Sequence, residues 1–167
     1  MKKILTILAI LMVAFVARVS ADDGVKWDYV DTAEKFYSTI KANSAANIKL
    51  TANIDLSGHS ADDDCIFNFE FTGRIDGEYT TSRGFTYFHT LMNSSSDLLF
   101  NYLTGAEITN LFVYNCSFDA WDTHSGWFGT QAYNCTFRNV FMVNCSGTGD
   151  NTLFDNDYVG GAGRYLA

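Results

Sequence analysis

The sequence predicts an all-β chain, a short solenoid of the parallel β-helix kind with an N-terminal amphipathic helix as its cap. Three observations carry this. The first is a repeat: 106–117, AEITNLFVYNCS, is followed 29 positions on by 135–146, CTFRNVFMVNCS, with Asn110 on Asn139, Phe112 on Phe141, Asn115 on Asn144, Cys116 on Cys145 and Ser117 on Ser146. A period between ~20 and ~50 residues marks a solenoid or array. The second is local alternation: Leu111 and Val113, then Val140 and Met142, recur every second residue in runs too short for ordinary helices, so each copy is built from strands. At ~3.3 Å per strand residue, with turns, such a copy is long enough for one circuit of a three-sided coil. The third is the polar register. Asn110 over Asn139 and Asn115 over Asn144 place amides at corners, where Asn tolerates a left-handed backbone and bonds its copy above and below.

Taken in order, residues 1–21 read as a secretory signal peptide. Lys2 and Lys3 form a positive start, Ile4 to Ala17 an apolar stretch, and Val19-Ser-Ala21 a small-residue cleavage site. The apolar run is shorter than the ~20 residues a membrane span needs, so no span is expected in the mature chain. Residues 22–47 then form a lead-in and the cap. Asp31 with Glu34 three positions later is a capping-box pattern, and Ala33, Phe36, Tyr37 and Ile40 make one apolar stripe on a helix from Asp31 to Lys41. Residues 48–167 form the coils, the last of them incomplete. Ile48 and Leu50, then Ile54 and Leu56, face one way, as do Cys65, Phe67, Phe69 and Phe71 in the next run. Thr72 to Gly77 supplies turns on each side of Ile75, while 79–97 is hard to place. Trp127 and Phe128 align with Leu99 and Phe100 one coil earlier.

Several of these runs, in this order, resemble a known family. Lys49 to Gly58 (KLTANIDLSG), Phe71 to Gly77 (FTGRIDG), Leu99-Phe100 and Ile108-Thr-Asn-Leu111 are similar to the N-terminal coils of bacterial secreted and surface proteins with GLUG-type repeats. The resemblance spans 31–146 and implies a right-handed parallel β-helix, export, and adhesion or glycan contact at the cell surface. The chain departs from the pattern at Asn101, which stands for a glycine, and after Glu78, and it has about three clear coils where the family's members have more, as a minimal or truncated member would.

The full chain carries a net charge of −8 with 47% hydrophobic and 16% aromatic residues, which excludes the disordered class. Removal of Lys2, Lys3 and Arg18 with the signal leaves eight basic against nineteen acidic side chains, a net of −11. Such a surface repels phosphates, so nucleic acid is not an expected partner. Proline is absent, in keeping with continuous hydrogen-bonded ladders.

The expected function is a non-enzymatic, secreted or cell-surface binding protein that offers an aromatic and polar face to a glycan or protein. Its candidate residues are Phe112, Tyr114, Trp121, Trp127 and Phe141, because Phe112 and Tyr114 alternate with the inward Leu111 and Val113. A covering loop or second subunit over these rings is the competing reading. The alternative function is a carbohydrate-active enzyme, a lyase or hydrolase, or a fragment of one. Glu70, Arg74, Asp76 and Arg83 are the residue types its groove needs, yet no acidic pattern repeats across coils, and surface charge explains them better. Asp62, Asp63 and Asp64 offer oxygens of the kind Ca²⁺ takes, but consecutive side chains point apart, so a solvated loop is the better account. His59, His89 and His124 share no ligand spacing, and no cofactor is expected.

Four cysteines in an exported chain permit two disulfides. Cys116 and Cys145, however, should stand one ladder spacing (~4.8 Å) apart, longer than the ~3.8 Å between Cβ atoms that a disulfide prefers, so reduced inward thiols are expected. Asn93, Asn115, Asn134 and Asn144 head N-glycosylation sequons, and for the last three a ladder corner is sufficient explanation. The open C-terminal end is a candidate for self-association.

Overall fold

Strand alternation sets inside and outside. Ile48, Leu50, Ile54, Leu56, Ile75, Leu91, Ile108, Leu111 and Val113 are all fully buried, and the residues between them face outward or sit at corners. A computed structural model describes residues 24–58, 65–94, 98–119 and 127–148. The expected signal peptide, Asp62 to Asp64, His59, His124, Trp121 and the last stretch of chain lie outside the described residues.

The described residues form an all-β fold with one helix. The strands are β1 (Asp28–Val30), β2 (Asn47–Leu50), β3 (Ile54–Asp55), β4 (Cys65–Phe71), β5 (Arg74–Asp76), β6 (Glu78–Thr80), β7 (Thr86–Phe88), β8 (Thr90–Met92), β9 (Leu98–Thr104), β10 (Glu107–Tyr114), β11 (Ser117–Asp119), β12 (Gly129–Tyr133), β13 (Thr136–Val143) and β14 (Ser146–Thr148). The helix α1 is Ala33–Ala42. Every pairing is parallel except that of β6 with β7. The largest sheet runs β1-β2-β5-β10-β8-β3, with β13 on the free side of β10; β4, β9 and β12 form a second sheet, and β11 with β14 a third.

The two long strands β10 and β13 bend in the middle, at Asn110 and Asn139, both left-handed (φ 54°). This is why β10 meets two partners on one side: β5 along Glu107 to Thr109, then β8 along Phe112 to Tyr114. Left-handed Asn93, Asn115, Asn134 and Asn144 mark further turns. The amides ladder as expected. Asn139 donates to Asn110 Oδ1 (2.8 Å), Asn110 to Asp76 Oδ1 (3.0 Å), Asn144 to Asn115 Oδ1 (3.0 Å) and Asn115 to Asn93 Oδ1 (2.9 Å). Each donor thus bonds the previous repeat, giving three-member chains.

Gly73 is required by close approach, because a Cβ there would lie 2.0 Å from the Ala46 carbonyl oxygen. The core itself is aromatic: Phe67 stacks on Phe100 (5.2 Å), Phe71 on Phe100 (4.6 Å), and the buried Phe36 and Tyr37 of α1 meet Phe67 at 6.1 and 5.4 Å.

Some expectations are corrected. The N-cap is Thr32, whose hydroxyl accepts from the Lys35 amide (3.2 Å), so α1 begins one residue later than the Asp31 capping box implies. The lead-in holds a strand, β1, which extends the sheet beyond β2. The register of β9 on β12 sets Gly129 opposite Phe100, so Phe128 lies over Leu99 and not over Phe100. Since Leu99, Phe100, Trp127 and Phe128 are all buried, apolar character alone could not choose between the two registers. A register shift between Phe67 and Glu70 breaks the alternation of β4, which leaves Phe69 only partly buried and turns Ile66 inward.

Candidate functional site

One segment departs from the repeat. The pairing offset is 33 residues from Arg74 to Glu107 but 22 from Thr90 to Phe112, so eleven residues between Asp76 and Thr90 have no counterpart in the next repeat. They form the antiparallel hairpin β6–β7, inserted where β10 has only the Asn110 bend. Its base is closed by His89, whose amide donates to Gly77 O (2.8 Å) while its carbonyl accepts from the Phe112 amide (3.1 Å). Its tip is held by Thr81 and Phe85, with Gly84 at φ 80° in the turn.

The hairpin has two unlike faces, since paired residues in an antiparallel ribbon share a side. Glu78 pairs with Phe88 and Thr80 with Thr86 on one; Tyr79 pairs with Tyr87 on the other. Phe88 packs toward the strands, 6.1 Å from Phe112 and 6.3 Å from Phe141, which themselves stack at 5.2 Å and 28°. All three rings are half-buried. Phe112 and Phe141 therefore do stand over one another outside the core, yet they cover each other's faces and Phe88 lies against both. The hairpin carries three exposed rings, Tyr79 (46% exposed), Tyr87 (56%) and Phe85 (60%), beside the separately exposed Tyr29, Tyr102, Tyr114 and Tyr133 on other strands.

Beside Tyr79 lies His89, with ring centroids 5.4 Å apart. The buried Nε2 of His89 has no hydrogen-bond partner, and burial, followed by the positive charge of Lys49, holds the imidazole below its ordinary pKa. Lys49 pairs with Asp76 (2.7 Å) and stands 5.9 Å over the Trp27 ring.

The remaining sequence-predicted residues are placed as follows. Tyr114 is exposed on β10. Trp127 is fully buried against Phe128 and is no part of an outer face; flanked by Phe128 in a doubly apolar step, it fills the core beneath β9 and β12. The four residues proposed for a catalytic groove do not converge. Asp76 is engaged by Lys49, Asn110 and the Glu78 amide, and Arg74 faces Glu107 (3.4 Å). Glu70 sits on another sheet, opposite Tyr102, and Arg83 in the hairpin turn. No group of three or more His, Cys, Asp or Glu side chains is placed to hold a metal among the described residues.

Cys116, Cys135 and Cys145 are free thiols. The Cys116 thiol donates to Tyr114 O (3.4 Å) and the Cys145 thiol to Val143 O (3.4 Å), with Val113 O at 3.5 Å.

Tyr79, Phe85, Tyr87, Phe88 and His89 are the site residues that sequence reasoning missed. The available signal was the aromatic alternation Phe85-Tyr87 within a segment that fits no repeat. Comparison with protein-family models, curated proteins and solved structures found no match for this chain. No helix among the described residues is long and apolar enough to cross a membrane.

Proposed function

We propose that this chain is a small right-handed parallel β-helix of the GLUG-repeat type, exported and displayed at or beyond the cell surface, where it binds carbohydrate without chemically altering it. The observation that carries the reading is the inserted hairpin with its exposed Tyr79–Tyr87 pair. Insertions in a repeat array gather on one face, which is often the binding face. Tyr combines an apolar ring with a polar tip, the combination that stacks on a sugar ring and bonds its hydroxyls. Tyr79, Tyr87 and Phe85 present three exposed rings on one ribbon. A three-ring cluster of Phe88, Phe112 and Phe141 anchors the ribbon from below.

The test is a glycan array on the mature protein, followed by titration of each hit against two variants. Tyr87→Ala removes an exposed ring and should abolish binding while leaving the melting temperature within a few degrees. The Phe112→Ala, Phe141→Ala pair should lower stability and loosen the hairpin. A folded, monodisperse protein that binds no glycan, or a glycan whose affinity is the same for Tyr87→Ala, sinks the proposal and shifts the reading to contact with a protein.

A further inference from the structure

Ser94, Cys116 and Cys145 occupy one position in three successive repeats. Each follows a left-handed Asn (Asn93, Asn115 and Asn144, with φ 62°, 51° and 53°), and backbone bonds lock the registry: the Ser117 amide donates to Ser94 O (2.9 Å) and the Ser146 amide to Cys116 O (3.0 Å). The three side chains therefore form a column one ladder spacing (~4.8 Å) apart. Ser94 is 2% exposed and Cys116 1%, and the buried Ser94 Oγ has no hydrogen-bond partner. Cys145 is only partly buried, so the column opens toward solvent at that end.

The spacing selects among what two thiols can do. A disulfide needs Cβ atoms ~3.8 Å apart, about 1 Å closer than two side chains that point the same way one ladder spacing apart. A metal held linearly between two sulfurs, at ~2.3 Å each, needs ~4.6 Å between them, which is close to the ~4.8 Å ladder spacing of two side chains in the same rotamer. With no third Cys, His, Asp or Glu within reach among the described residues, a tetrahedral zinc site is not available. Soft thiolates favour Cu(I), and two-coordination is a geometry that this ion accepts. In the metal-free protein both sulfurs are protonated donors, Cys116 Sγ to Tyr114 O (3.4 Å) and Cys145 Sγ to Val143 O (3.4 Å) and Val113 O (3.5 Å), and metal binding would replace these bonds.

We propose that Cys116 and Cys145 form a two-coordinate dithiolate site for Cu(I), closed on its inner side by Ser94 Oγ. Binding breaks two S–H bonds and forms two S–Cu bonds. Two protons are released per ion, and neither sulfur nor copper changes oxidation state.

The test uses the full mature chain carrying Cys65→Ser and Cys135→Ser, so that only the pair remains. It is titrated anaerobically with Cu(I) against bicinchoninate as competing chelator, with proton release followed in weak buffer. One Cu(I) bound, close to two protons released, and at least a hundredfold loss of affinity on adding Cys145→Ser are expected. Cys145 is partly exposed, so its serine variant should keep its melting temperature; were it to unfold, the stoichiometry and proton count of the parent decide. Failure to compete with bicinchoninate, a Cys145→Ser variant that binds as well as its parent, loss of binding when Cys65 or Cys135 alone is replaced, or a Cys116–Cys145 disulfide formed readily in air would each overturn the proposal.

Discussion

Replacing Asn110 with alanine should be among the most damaging single changes at a polar position in this chain. Asn110 is buried, sits at φ 54° in the bend of β10, donates to Asp76 Oδ1 and accepts from Asn139. A hydrogen bond to a charged acceptor contributes about 2 kcal/mol and a neutral one about 1 kcal/mol. The left-handed backbone costs Ala about 1 kcal/mol more than Asn. Together Asn110→Ala should lose about 4 kcal/mol, and Asn110→Gly, which keeps the backbone at ease but loses both bonds, about 3 kcal/mol. In equilibrium urea unfolding with a slope of about 2 kcal/mol per molar, these correspond to midpoint shifts of about 2 M and about 1.5 M. The contrast between the two variants separates ladder from backbone. An Asn110→Ala protein within about 1 kcal/mol of the parent, or a glycine variant less stable than the alanine one, would refute the reasoning.

Gly73→Ala should cost about 3 kcal/mol or more, read as a lower melting temperature or a loss of soluble protein, because its Cβ meets backbone that cannot step aside. Trp127→Ala should cost ~3–5 kcal/mol in urea unfolding, while Trp127→Phe, which also removes the buried and unpartnered Nε1–H, should cost under ~1.5 kcal/mol. The fourth prediction concerns pH. His89 titrates below its unfolded value of ~6.5, so between the two values the unfolded chain binds more protons, and stability present above pH ~6.5 is lost as pH falls. Urea midpoints should drop between pH 7.5 and pH 5 and the drop should shrink in His89→Gln; Asp55, held low first by the Ser57 amide, contributes stability that is lost only below its unfolded value of ~3.9 and so leaves this window clear. An undiminished drop in His89→Gln would assign the effect elsewhere.

How much was legible follows from what breaks periodicity. The repeat, the inward Leu111 and Val113, the Asn ladders and the Phe112–Phe141 stack were all readable, because a constant offset of 29 residues ties each to its copy. The hairpin was not, because its eleven extra residues pair with each other and so carry no trace of the repeat. Nor could alternation assign its rings, since alternating aromatics in a strand ordinarily mark a core face, and here Tyr79 and Tyr87 face water. Trp127 was misjudged for the converse reason, since two neighbouring apolar residues, Trp127 and Phe128, are both buried where strict alternation would expose one. The shift of the N-cap from Asp31 to Thr32 reflects two adjacent residues that are both good caps. The charges at Arg74 and Asp76 could be named but not assigned, because their partners Glu107, Lys49 and Asn110 are 25 or more residues away in sequence and adjacent only through the ladder.

The measurement that bears most directly on the whole account is solution NMR of the protein, reading contacts between strands β10 and β13. In-register parallel stacking predicts amide and side-chain nuclear Overhauser effects joining Asn110 to Asn139, Phe112 to Phe141 and Asn115 to Asn144, each pair 29 residues apart. Strong Hα–Hα contacts between the same strands, the mark of an antiparallel pair, or an offset other than 29, would contradict it.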